Sequence, residues 1–250
     1  MKPITILILF IITPLFYGKA QQNIDFRIFN NAGELRSIYV QQHRLGTKYR
    51  LNLDAGSYLG LGDNTWTRWG FRGSLQTIVS HLIKVDAGLM YNRVFTLHTN
   101  PGSEKESKNI RHEYRPHQSL NASYPRFKSS ALQHRFRLEE RIFRSSDDKY
   151  FKMRLRYRIS HQGRFDGKAI APKSLFYSAS AELYFNVYEE ADDVFLTQGR
   201  YGLGLGYQIS SKLSADINHY LQHSKSSHER PASTSSIFQI TLRQKFYWMN

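Results

Sequence analysis

The chain has 250 residues, a formal net charge of +15, no cysteine, negative mean hydropathy, and 16 Tyr, 16 Phe and 3 Trp. The missing cysteine excludes a disulfide framework, a thiolate metal site and a thiol nucleophile. Past the first twenty residues no window is apolar enough for a spanning helix, which excludes a helical membrane protein but not a β-barrel, whose alternation halves the hydropathy of each strand.

The N-terminus directs the chain out of the cytoplasm. Lys2 precedes the apolar run 4–16 and the small-residue end Gly18-Lys19-Ala20, the pattern of a secretory signal peptide cleaved after Ala20. The apolar run is shorter than the ~20 residues a spanning helix needs. Residues 21–250 contain no linker or shift in composition and are expected to form one domain. For an exported cationic protein the expected partners are membrane lipid and an anionic small molecule, not nucleic acid.

Extended segments follow one another along the mature chain. Asp25 to Phe29 forms a short alternating run before the turn at Asn30 to Gly33, and Leu35 to Arg44 is the next strand. In Tyr49 to Leu59, Tyr49, Leu51, Leu53 and Ala55 oppose Arg50, Asn52 and Asp54. Trp66 to Ile78 sets Trp69, Phe71 and Leu75 against Arg72, Ser74 and Gln76, and Lys84 to Phe95 turns Val85, Ala87, Leu89 and Tyr91 to one side. Thr99 to Asn109 reads as a long exposed loop. His112 to Tyr124 is a poorer strand carrying Pro116, a residue that sheets tolerate at edges or bulges, and Pro125 marks a turn.

The stretch from Leu132 to Ile159 is the most informative. Two alternating runs flank the polar break at residues 145–148. Leu132, Phe136, Leu138 and Ile142 oppose Gln133, Arg135, Arg137, Glu139 and Arg141; Phe151, Met153, Leu155, Tyr157 and Ile159 oppose Lys152, Arg154, Arg156 and Arg158. Successive side chains of a strand point to opposite faces, so this hairpin has one greasy face and one cationic face. Leu175 to Val187 and Phe195 to Ile209 follow; in the latter Tyr201, Leu203, Leu205, Tyr207 and Ile209 alternate with Gly202, Gly204, Gly206 and Gln208. Those glycines do not open a helix, so they are expected to admit neighbouring side chains or curvature, not to cradle phosphate. Leu213 to Gln222 and Ile237 to Trp248 complete the series.

This alternation predicts an all-β fold, a closed antiparallel up-and-down transmembrane β-barrel of about twelve strands, with ten as the alternative. Short connections at Gly46, Ser80, Pro125 and Ser210 and longer ones at Gly60, Pro101, Glu189 and Lys225 fall on alternate ends. The central hairpin breaks that rhythm, its turn being short where a long loop is due. A soluble β-sandwich or lipocalin-like carrier is the competing architecture; it would bury the greasy faces. The candidate lumen or ligand-binding residues are Arg135, Arg137, Glu139, Arg141, Arg154, Arg156, Arg158, Glu182 and Arg200. Guanidinium groups this dense need carboxylates, water or an anion for balance. They either fill the lumen as an Arg/Glu ladder or attract an anion to a small pore or pocket.

HRFRLEER (134–141, an HRxRLExR pattern), RLRYRI (154–159), ELYFN (182–186) and RYGLGLGYQIS (200–210) resemble, in this order and spacing, a family of bacterial proteins of unknown function. Its members are predicted to be secreted outer-membrane β-barrels. The resemblance implies export, a place in the outer membrane and insertion by the barrel assembly machinery. It brings no enzyme activity, cofactor or catalytic residue. Outer-membrane proteins usually end on an aromatic residue, whereas here Met249-Asn250 follow Trp248.

No catalytic or metal site is expected. His134, His219 and His223 sit in no nucleophile motif, and no histidine pair within a strand has ligand spacing. His134 and Glu140 share the greasy side of their strand, and Asp216 lies on the opposite side of its strand from His219. A hydrolase would need a His within reach of a Ser, or paired carboxylates with a His, at the rim or on the outer face, and a Ser/His pair within hydrogen-bond distance on the outer wall would reopen that case.

Overall fold

The computed structural model describes residues 33–61, 66–99, 106–127, 129–146, 148–188, 196–225 and 232–248. The expected signal peptide and the Asp25 to Phe29 strand lie outside the described residues. The strands are β1 (Gly33–Leu45), β2 (Tyr49–Leu61), β3 (Trp66–Ile78), β4 (Ile83–Thr99), β5 (Glu106–Phe127), β6 (Ser130–Arg144), β7 (Lys149–Gly163), β8 (Ser174–Tyr188), β9 (Leu196–Gln208), β10 (Leu213–Ser224) and β11 (Ser233–Tyr247). Each pairs with its sequence neighbours, and β1 pairs with β11 to close the barrel.

Among the described residues the barrel therefore closes with eleven strands, where twelve or ten are expected, and it is not antiparallel throughout. Strands that alternate in direction leave the first and last pointing the same way when their number is odd. The seam is accordingly parallel, from Gly33 beside Ser236 to Arg44 beside Tyr247. Because β1 and β11 bond each other directly, no twelfth strand stands between them. Closure leaves every strand with two neighbours and the sheet without an edge.

The β1–β2, β3–β4, β5–β6, β7–β8 and β9–β10 connections share one end, here the turn side; the others form the loop side. The irregularity noted in the sequence is real. Residues 164–173 form a long connection on the turn side, while 145–148 form a short one on the loop side. The long connection is tied to the neighbouring turn by Ser129 Oγ, which donates to the Gly167 carbonyl at 2.7 Å. Within it, the Lys168 backbone N–H and the Arg164 guanidinium hold the Asp166 carboxyl below its ordinary range.

Polarity is inverted relative to a water-soluble core. Leu203 is 68% exposed on the outer wall, with Leu53, Leu89, Phe136, Leu205, Ile217 and Ile240 also exposed, whereas Glu139 is 1% exposed inside. There is one closed sheet, not two stacked sheets with the aliphatic side chains between them. The sandwich alternative, and any carrier with a greasy interior, is set aside on that geometry.

β4 and β5 extend beyond their expected limits to Thr99 and Glu106, shortening the loop anticipated between Thr99 and Asn109. Pro116 lies within β5, at neither an edge nor a bulge. It pairs with Leu89 of β4, and the ladder to β6 is interrupted between Tyr114 and His117, where a proline has no N–H to give. The register shift in β5 falls between Ser123 and Arg126, so the strand continues past Pro125 to Phe127. The β9 glycines serve close packing as expected: a Cβ at Gly202, Gly204 or Gly206 would collide with Tyr220, Asn218 or Phe176 from the flanking strands.

Candidate functional site

Register carries the arginine face into the lumen. Arg135 stands opposite Arg158, Arg137 opposite Arg156 and Glu139 opposite Arg154 across β6 and β7. Arg158 faces Glu182 on β8, and Glu182 faces Arg200 on β9. Bare guanidinium pairs would repel across such a ladder. Carboxylates from alternate strands balance them.

Glu139 is the centre of this balance. Its carboxylate accepts from Arg154 Nη2 at 2.6 Å and from Arg156 Nη1, and Arg115 Nη1 lies 3.8 Å away. Glu182 accepts from Arg135 at 2.8 Å and Arg156 at 2.8 Å, with Arg200 at 3.9 Å. Arg156 thus bridges the two glutamates. Tyr184 donates its hydroxyl to Glu182 at 2.8 Å, and the guanidiniums of Arg154, Arg156 and Arg200 lie 4.9, 4.8 and 5.3 Å from its ring. A tyrosine face attracts such cations, the more so away from water.

The structure brings together the residues expected from sequence and adds others. Arg141 binds Glu113 at 2.6 Å, not Glu139, and Glu113 also holds Arg115 at 2.7 Å. Arg137 donates to Ser119 at 2.8 Å and lies 3.6 Å from Asp86, which in turn lies 3.9 Å from His117. Glu34 holds Arg36 and Arg68, Asp54 holds Arg72, and Asp216 holds Arg243. Arg200 donates to Gln222. Glu113, Arg115, His117 and Ser119 are inward residues absent from the set expected from sequence; the signal that finds them is their period-two alternation along β5, on either side of Pro116.

The outer-wall histidines are also placed. His134 bonds the Tyr157 hydroxyl at 2.9 Å and the Tyr124 carbonyl at 2.7 Å, near the turn-side rim. Glu140 lies beside Met153 in register. His219 Nε2 is 2.7 Å from Ser236 Oγ, His223 Nδ1 is 3.1 Å from Thr234 Oγ1, and His161 Nε2 is 2.9 Å from Ser130 Oγ. The Ser/His contact a hydrolase requires is therefore present. Asp216, bonded to Asn218 and Arg243, does not reach His219. Among the described residues no carboxylate bonds His219, and no cluster has the makings of a metal site.

Fold and interior together define a closed β-barrel with an apolar outer wall and an ion-paired lumen. The family described as Protein of unknown function (DUF2490) matches residues 37–232, and the chain belongs to that family. No curated protein matches it.

Proposed function

We propose that this chain is an integral β-barrel of the bacterial outer membrane, whose arginine–carboxylate network fills the lumen as a rigid plug. The observation that carries the reading is the inverted polarity of the wall: large aliphatic side chains point outward while Glu113, Glu139 and Glu182 are buried within. In water that arrangement would expose a continuous apolar surface; against hydrocarbon it is favourable. Tyr49, Phe127, Tyr247 and Trp248 near the turn side, and Trp69, Phe151 and Tyr188 toward the loop side, are exposed where interfacial aromatics belong. The signal-like N-terminus agrees with this location. Turns then face the periplasm, loops face outward, and the partners are lipid and the barrel assembly machinery. We assign the barrel no catalytic step.

Fractionation of cell envelopes tests the reading. The protein should stay with outer membranes through an alkaline carbonate wash, require detergent for extraction, and migrate faster on a gel unheated than boiled. Release into aqueous buffer as a monodisperse species would overturn it.

A further inference from the structure

We infer that the turn-side mouth of the lumen is a binding site for a phosphate-bearing polyanion, gripped by Arg50, Lys84 and Lys245 with Arg44 at its rim. The inference rests on strand register and holds wherever the barrel resides. Arg50 stands opposite Arg44 of β1 and Gln76 of β3; Lys84 stands opposite Ile78 of β3; Lys245 stands beside Gln42 of β1. Each lies an even number of residues from an inward, ion-paired neighbour: Asp54 for Arg50, Asp86 for Lys84 and Arg243 for Lys245. Alternation therefore aims all three side chains into the lumen.

They differ from the arginines deeper inside in having no counter-ion. Arg50, Lys84 and Lys245 are half-buried, and among the described residues none forms a salt bridge. The nearest inward carboxylates are engaged elsewhere, Asp54 with Arg72, Asp86 with Arg137 and Asp216 with Arg243. The cations instead repel one another: Arg50 feels Arg44, Lys84 feels Arg50, and Lys245 feels Arg243 and Arg50. The central network balances guanidinium against carboxylate, so this mouth is a local surplus of positive charge inside a low-dielectric wall, which focuses the field on an entering anion. Lysine point charges and an arginine fork suit phosphate oxygens, and a polyvalent group neutralises several cations at once. On β10, β9 and β8, which continue the wall beyond β11, the inward positions at the turn-side ends are the neutral Ser214, Gln208 and Ser174. Gln76, between Arg50 and Asp86, has a buried Oε1 without a hydrogen bond; turned over, its amide would offer N–H donors to the same space.

The test is calorimetric titration of pyrophosphate into the full barrel folded in a non-ionic detergent. Saturable binding is expected, weakened at least tenfold in R50Q/K84Q/K245Q and also in K84Q alone to a lesser degree. R50K should retain most of the affinity, and K149Q on the loop side should match wild type. The heat-dependent gel shift verifies folding of each variant. Doping the micelles with phosphatidylglycerol identifies the source: competition with pyrophosphate assigns the site to a lipid headgroup, and its absence to a soluble phosphate, both outcomes upholding the site. Failure of wild type to bind either probe, or equal binding by the triple variant, would overturn it.

Discussion

Replacing Glu139 by Gln removes, at nearly constant volume, the most enclosed charge of the network. Its three arginine neighbours are not affected alike. Arg156 keeps Glu182 at 2.8 Å and Arg115 keeps Glu113 at 2.7 Å, whereas Arg154 is left without another carboxylate among the described residues. Removing one partner of a buried pair costs about 3–5 kcal/mol because the remaining charge is uncompensated. With a urea slope of about 2 kcal/mol per M, the unfolding midpoint should fall by about 2 M. The assay is urea unfolding of the barrel in lipid vesicles, read by tryptophan fluorescence and by the heat-dependent gel shift. Adding Arg154→Met to Glu139→Gln should recover a large part of the loss, since the orphaned cation goes with its partner. A midpoint within about 0.25 M of wild type for Glu139→Gln, at the same slope, would refute the view that this carboxylate holds the lumen together.

Leu205→Arg on the outer wall should destabilise the bilayer-inserted barrel by about 2–4 kcal/mol if that site lies near the membrane midplane, while Tyr49→Arg at the turn-side rim costs about 0–1 kcal/mol; equal costs in vesicle-folding titrations would contradict the assigned lipid-facing band. Gly204→Ala drives a Cβ into the Asn218 amide, which is held by Ser178 and Asp216, and should lower stability by about 1–3 kcal/mol in the same unfolding assay. In planar bilayers the wild-type barrel should carry no steady current; a stable conductance that turns from anion- to cation-preferring on changing Arg135, Arg137, Arg154 and Arg156 to Glu would show an open lumen instead of a plug. Asp166 should remain ionised below the normal carboxylate range because the Lys168 N–H and Arg164 favour its charged form. Its loop contacts should therefore persist above that range and be lost as pH falls through the lowered value, and carboxyl NMR of Arg164→Gln should show a partial return toward the ordinary value.

Period-two alternation made the strands and their inward faces readable. Trp66 to Ile78 matches β3 at both ends, and the Arg135 to Arg158 ladder faces the lumen as its alternation required. The choice of ion-pair partners was not readable, because it depends on the axial stagger between strands that the sequence does not state. Arg141 could as well have met Glu139 as Glu113; the stagger puts Glu113 within 2.6 Å. Strand number was also hidden. An even count follows from assuming both ends of the chain on one side, and a local pattern such as DFRIF cannot reveal that β1 and β11 bond each other. Pro116 marks a poorer strand in the sequence and suggests an edge or a bulge, yet the cost of its missing donor is confined to one gap in the ladder of an interior strand.

The parallel seam has a consequence for handling the molecule. Gly33 lies at one mouth and Tyr247 at the other, so fusions placed at the first and last strands would report from opposite compartments of any membrane the barrel crosses. Joining those two points to make a circular permutant would need a tether as long as a thirteen-residue strand, about 43 Å at ~3.3 Å per residue, threaded through the filled interior or over the outer wall.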